Sequence, residues 1–383
     1  MKRILFLAHD AHLAGAQLLL LQFLQYIKRY HPDIDYKLIV GNEGVLLGEF
    51  KKLTQVFVFY PQQPKSNSLL KKIFYHLHKM KLDWFVKFSR FDLIYSNTIM
   101  NGEMLNTLSR YNIPVLTHVH EMDYWMDKAG DANLGYNKKF STLFISVSQS
   151  VKHALMRKLN VSEKKIKVIY EFTQNTFNID TNKSIKEKLG LMPKDIIVGA
   201  CGAEIYRKGK DLFIEIANKY FEQYDSKNIH FVWIGGVIDD EIQTLHDKSS
   251  YKKQIHFINN LPNASAYFHE FSVFCMTSRD DPFPIVNLEA GIRGVPVICF
   301  KDSGGTQELL SEHSDLIINN WDTTVFSDTI HKLLIDIIYT KKISERLSNK
   351  IKSEYVIDII APQLINTIEE LSVNAKNNTF HFG

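Results

Sequence analysis

Cysteine is nearly absent: Cys201, Cys275 and Cys299 are the only three in 383 residues. That is too few for a disulfide framework. Each sits in an apolar segment, where cysteine acts as a small hydrophobe in a reducing compartment. No Cys/His spacing of the zinc type occurs. Also missing is any run near the ~20 uninterrupted apolar residues that a membrane-spanning helix needs. The start, Met1-Lys2-Arg3-Ile4-Leu5-Phe6-Leu7-Ala8, is apolar, but His9, Asp10 and His12 stand where a signal-peptide cleavage region would be. It reads as a buried first strand of a cytoplasmic protein. A net charge of +4 gives no sign of a nucleic-acid partner. The segment after that strand, His9–Leu18, holds the single glycine Gly15, so the full Gly-x-Gly-x-x-Gly fingerprint of a dinucleotide-dependent dehydrogenase is lacking.

Length sets the scale of what is present. At roughly 150 residues per domain, the chain predicts two domains. Short apolar or β-branched runs alternate with longer segments of helical period, the βαβ rhythm of parallel sheets. Strands are predicted at Arg3–Ala8, Tyr36–Val40, Gln55–Phe59, Leu93–Tyr95, Pro114–His118, Leu143–Val147 and Lys167–Ile169. The rhythm restarts at Ile196–Ala200, His230–Ile234, Ile255–Ile258, Val273–Met276 and Val295–Phe300. Between the two series, Thr173–Lys194 is rich in Asn, Asp and Lys and reads as a linker. Leu18, Leu21, Leu24 and Ile27 fall three apart and predict a helix over Leu18–Tyr30 that ends at His31-Pro32. Val356–Leu371 has helical period again, and the tail Asn374–Gly383 reads as frayed. In doubly wound sheets ligands bind beyond the carboxyl ends of the strands.

Four segments at such ends carry chemistry. Ser278-Arg279-Asp280-Asp281-Pro282-Phe283-Pro284-Ile285-Val286-Asn287-Leu288-Glu289 is a strand end, a turn and a helix. Its carboxylates can each accept two sugar hydroxyls, and the amides of Phe283, Ile285 and Val286 lie at a helix start. Gly202-Ala203-Glu204-Ile205-Tyr206-Arg207-Lys208-Gly209 places two cations before a helix, the arrangement a diphosphate needs. His9–Leu18 brings Gly15 and Ala16 to the start of the first helix. Thr117-His118-Val119-His120-Glu121 runs out of a strand with both histidines on one side. Ser148 reads first as a helix cap.

Together these segments resemble the family-4 retaining glycosyltransferases of the GT-B fold, the group 1 glycosyl transferases. Asp281 and Glu289 match the family's acid-x7-acid motif, and Gly304-Gly305-Thr306-Gln307-Glu308 its Gly-Gly-x-x-Glu segment. The resemblance covers residues 3–365 and is patchy between Phe50 and Arg90. It implies an α/β fold of two Rossmann-like doubly wound domains facing across a cleft. The expected divisions are an acceptor-binding domain at 1–178, a nucleotide-sugar-binding domain at 190–355, and a helix and tail at 356–383 that cross back to the first domain. It further implies a retaining, metal-independent hexosyltransferase-type enzyme without cofactor, acting on a glycan or lipid-linked acceptor in surface-polysaccharide synthesis. His120, Lys208 and Asp281 would be catalytic. Gly15, Ala16, Arg207, Lys208, Phe283, Ile285, Val286, Glu289, Gly304 and Gly305 would bind the donor, with Glu289 on the ribose and Asp281 on the sugar. The chain departs from the pattern in having Asp281 where Glu is usual, Ala203 where many members carry Arg, and Ala14 and Gln17 in the first loop. A nucleotide-sugar epimerase of the same fold, or a non-catalytic nucleotide-sugar-binding subunit, are the alternatives.

Seven Lys/Arg against one acid, Asp83, lie between Lys65 and Arg90. Leu69, Leu70, Ile73, Phe74 and Leu77 form an apolar stripe there, with Lys71, Lys72, Lys79 and Lys81 near it. Such a stripe either packs on the N-terminal sheet or lies on an anionic membrane, with the protein peripheral to its inner face.

Overall fold

The apolar runs become the strands of two all-parallel sheets. The computed structural model describes residues 2–60, 68–175, 184–261 and 263–376, and the side chains of 68–72 and 374–376 lie outside that description. Contacts divide the chain into two units, Met1–Tyr170 with Ile360–Gly383, and Glu171–Ile359.

The first unit holds β1 (Lys2–Asp10), β2 (Ile34–Asn42), β3 (Val56–Val58), β4 (Leu93–Ser96), β5 (Val115–Val119), β6 (Leu143–Ser146) and β7 (Ile166–Val168). Their order across the sheet is β3-β2-β1-β4-β5-β6-β7. A central parallel strand is covered on both faces and therefore reads as an unbroken apolar run. Ile4, Leu5, Phe6 and Leu7 of β1 are fully buried accordingly. Phe6 pairs in register with Leu38 of β2 and Tyr95 of β4. The first helix runs Gly15–Tyr30, beginning three residues before its apolar period, and buries Leu20, Phe23, Leu24 and Ile27.

The second unit holds β8 (Ile196–Cys201), β9 (Ile229–Ile234), β10 (Ile255–Ile258), β11 (Phe271–Met276), β12 (Val297–Phe300) and β13 (Ile317–Ile318), ordered β10-β9-β8-β11-β12-β13. Both sheets thus reverse strand order once, between β1 and β4 and between β8 and β11, and a ligand crevice belongs at such a switch point.

Several predicted boundaries shift. β12 starts at Val297 rather than Val295, because Gly294 turns with φ 81° and the Val295 amide still donates back to the Ala290 carbonyl of the preceding helix at 3.2 Å. The two-residue β13 is too short to leave an apolar period. The segment read as a linker contains a helix, Ile185–Leu189, opened by a capping box of Ser184 and Glu187 and closed by Gly190; residues 176–183 of it lie outside the described residues. The C-terminal helix spans Ile357–Lys376, and 377–383 of the predicted tail are likewise outside. All three cysteines are free, with Cys275 and Cys299 buried. Among the described residues no helix is long and apolar enough to cross a membrane.

Candidate functional site

In the second unit the site grows from the ends of β8 and β11. Beyond Cys201 the chain loops through a 3-10 turn, Tyr206–Lys208, into the helix Lys210–Gln223. Gly209 joins them at φ 69°, and a Cβ there would lie 2.1 Å from the Thr277 carbonyl after β11, so only glycine lets the two strand ends meet. That approach brings together residues 73 positions apart. Lys208 Nζ donates to Asp281 Oδ2 at 2.5 Å, Ser278 Oγ donates to the same oxygen at 3.0 Å, and Arg207 Nη1 stands 3.5 Å from it. Arg207 also donates to the Asp280 carbonyl at 2.7 Å. Asp281 is buried. Burial alone would raise its pKa, but the charges of Lys208 and Arg207 and the donated hydrogen bonds outweigh it and hold the carboxyl below the usual range.

The Asp281 backbone is pinned as well. Its amide donates to the Ser303 carbonyl at 2.8 Å, and its carbonyl accepts Gly305 N–H at 3.1 Å. Gly304, at φ 126°, bridges to Asp281 with room for no Cβ. The glycine pair therefore shapes the loop, and the Gly305 amide, given to Asp281 and Pro282 carbonyls, is already engaged. Phe283 is buried and stacks on Tyr355, ring centroids 5.5 Å apart. Ile285 and Val286 open the helix Ile285–Gly291 behind Pro284, and the first amides of a helix have no partner within it. Glu289 lies on that helix, and burial pushes its carboxyl up to about 7 against the opposing charge of Arg293.

Sequence reasoning passed over Lys210. Its ammonium is buried, pairs with Glu204, and sits 5.4 Å over the Trp233 ring. Trp233 Nε1 in turn donates to the carbonyls of Gly202 and Gly235. This group fixes the loop that carries Arg207 and Lys208. The Lys208-Gly209-Lys210 alternation was the available signal.

In the first unit, a second polar group collects at the ends of β1, β4 and β5. Asp10 accepts from Gln17 Nε2 at 2.6 Å and lies 3.2 Å from His9 Nε2 and 3.0 Å from His12 Nδ1. Burial opposes ionisation of Asp10, yet the hydrogen bonds from His9 and His12 drive its pKa well down; burial likewise lowers that of His9, and the Asp10 bond and charge lift it above its ordinary value. Gln17 thus takes its place as a donor to an acid beside it. Gly15 is the exposed first residue of the helix, and the Ala16 carbonyl accepts Asn97 Nδ2 at 2.9 Å. Asn97 Oδ1 lies 3.3 Å from His120 Nε2. Glu121 orders the strand end by accepting from Thr98 Oγ1 and from the His120 amide. His118 is buried, hydrogen-bonded to Tyr95 OH at 2.6 Å, and its ring centroid is 4.2 Å from that of the half-buried His120. Burial, then the neighbouring His120, push the His118 pKa far down, so it stays neutral. Ser148 caps its helix, accepting from Val151 N–H. His9, Asp10 and Asn97 join the predicted His120 here; only the fold reveals that three strands end at one place.

Two family descriptions match the chain, Glycosyltransferase Family 4 over residues 40–173 and Glycosyl transferases group 1 over residues 181–353. The capsular polysaccharide biosynthesis glycosyltransferase CapM of Staphylococcus aureus is 22% identical over 236 residues, 58% of this chain and 60% of that protein. The crystal structure of Anabaena HepE in complex with UDP-glucose superposes with a TM-score of 0.75 at 20% identity, covering 97% of this chain and all of that one. That of WaaG, a glycosyltransferase involved in lipopolysaccharide biosynthesis, gives 0.69 at 12% identity over 94% and 98%.

Proposed function

Because the chain belongs to the family-4, group 1 glycosyltransferases of GT-B fold, we propose that it moves a sugar from a nucleotide-sugar donor to a glycan or lipid-linked acceptor with retention of configuration. The observation that carries this reading is the Lys208–Asp281 pair, with Arg207 beside it, at the strand-order reversal of the second sheet. Departure of a nucleoside diphosphate builds negative charge on its phosphate while the sugar becomes oxocarbenium-like. Preorganised cations lower that barrier. Lys208 supplies the point charge and Arg207 the planar fork, in place of the arginine that Ala203 lacks. Asp281 holds Lys208 ready and presents its remaining acceptor capacity to sugar hydroxyls.

Glu289 binds the ribose, with the loop at Gly304 shaping the pocket. His120, steadied by Asn97 and by the Glu121 contact to its amide, takes the sugar-facing role. The acceptor hydroxyl attacks C1 on the face the diphosphate leaves, a new C–O bond forming as the bond between C1 and the diphosphate oxygen breaks. The hydroxyl proton passes to the departing phosphate oxygen, so no enzymic nucleophile is needed. A capsule-synthesis relative supports a surface-polysaccharide acceptor, and the UDP-glucose complex of HepE makes a UDP-sugar the first donor to test.

The test is donor turnover across common nucleotide sugars, with and without chelator. Slow hydrolysis of one donor to free sugar and nucleoside diphosphate, unaffected by chelation, is expected. An epimerised nucleotide sugar, no turnover of any donor, or loss restored only by a divalent ion would each overturn the proposal.

A further inference from the structure

The helix Ser68–Ser89 of the first unit has two apolar faces. One is internal, where Leu82, Phe85 and Val86 pack in a core with Leu5, Leu7 and Ile39. The other is in solvent. Ile73, Leu77, Met80, Trp84 and Phe88 are 48%, 51%, 55%, 60% and 72% exposed. At about 100° per residue these five fall within an arc of about 80°, opposite the buried face. Of the side chains that the sequence suggested for packing, Ile73 and Leu77 are therefore on the outer face and Phe74 is half-buried; Leu69, Leu70, Lys71 and Lys72 lie outside the described side chains.

Contiguous exposed apolar surface of this kind marks an interaction site. Its occupant follows from charge and shape. Lys81 and Lys87 stand about 60° to either side of the midline of the stripe, both exposed. The helix's single acid, Asp83, is engaged by Arg110 at 2.6 Å and by Tyr111. A second copy of the helix would set lysine against lysine with no acid to meet it. A linear stripe with paired aromatic rings, Trp84 and Phe88 at 5.3 Å, flanked by cations, is how a helix lies in a lipid interface. We propose that this face docks the first unit on an anionic lipid membrane. The surface stands apart from the glycosyl-transfer reading, and only its use, delivery of the enzyme to a lipid-linked acceptor, rests on that reading.

Co-sedimentation of the full chain with vesicles of equimolar phosphatidylglycerol and phosphatidylcholine, against phosphatidylcholine alone, tests it. Binding to the anionic vesicles only is expected at low salt. Each cation near the surface is worth about fivefold in partitioning, so K81Q/K87Q weakens binding about twenty-fivefold. W84S/F88S abolishes it without lowering thermal stability, since neither ring is buried. Wild-type protein left in the supernatant, or W84S/F88S binding as wild type, overturns the proposal. So does a wild-type dimer that W84S/F88S splits, which would assign the stripe to a second copy. Donor turnover measured without vesicles reports separately on the catalytic reading and is unchanged in both variants.

Discussion

Lys208 and Asp281 depend on one another before any donor arrives. Each side chain is nearly out of solvent, 13% and 7% exposed, and a buried charge stripped of its partner is costly. Lys208→Ala should cut turnover at least 100-fold, ~3 kcal/mol of transition-state stabilisation. It should also lower the melting temperature at neutral pH. The sign follows from the lowered Asp281 pKa: its stabilising ionisation is present at neutral pH, is lost as pH falls through the folded pKa, and weakens when Lys208 goes. Near-wild-type turnover would remove Lys208 from the mechanism. Glu289 behaves oppositely. Its carboxyl is raised to about 7 by burial, so ionisation between its unfolded value and 7 destabilises the fold as pH rises. Glu289→Gln should therefore raise stability at pH 8 by on the order of 1–3 kcal/mol, while weakening nucleoside diphosphate binding. Wild-type affinity should climb through pH 7 as the carboxylate forms to accept the ribose hydroxyls. Titration calorimetry across that range checks it, and a pH-independent affinity would put the ribose elsewhere.

Among elements, the turn at Gly304 is the most exacting. A Cβ there would fall 1.8 Å from the Asp281 carbonyl oxygen. Gly304→Ala should cost on the order of 2–4 kcal/mol and weaken donor binding. Gly294→Ala, at φ 81° with nothing within 4 Å, should cost only about 1 kcal/mol. Equal losses in denaturant titration would mean that backbone conformation alone, not the Asp281 contact, demands glycine. Most strands were legible in the sequence because parallel strands buried on both faces leave unbroken apolar runs. The site segments were legible because each follows such a run. Pairings across long sequence separations were not, such as Lys208 with Asp281 or Asn97 with His120, because no local pattern encodes which strand ends meet. Periodicity also could not say which stripe of Ser68–Ser89 faces inward, since both are apolar.

At the scale of the whole chain, the final helix belongs with the first sheet. Ile360, Ala361, Leu364, Ile365, Ile368 and Leu371 are buried, and Lys2 pairs with Glu369 at 2.5 Å and Lys167 with Glu370 at 3.5 Å. A chain cut after Ile359 should keep the second unit's amide protection in hydrogen exchange and lose it in the first. Uniform protection in both would show the helix to be dispensable. The second unit is bracketed by its own closure: Thr173 N–H donates to the Tyr355 carbonyl at 2.9 Å, and Ile357 N–H donates to that of Thr173 at 3.0 Å. Its two ends are tied side by side, as in an insertion between two parts of a host. Synthesis proceeds from the N-terminus, so on the ribosome the inserted unit is complete while its host still waits for a last helix. Of the two units, the one begun first is the one that closes last, and through that interval the apolar surface that Ile360, Leu364, Ile365 and Ile368 come to cover stays open to aggregation.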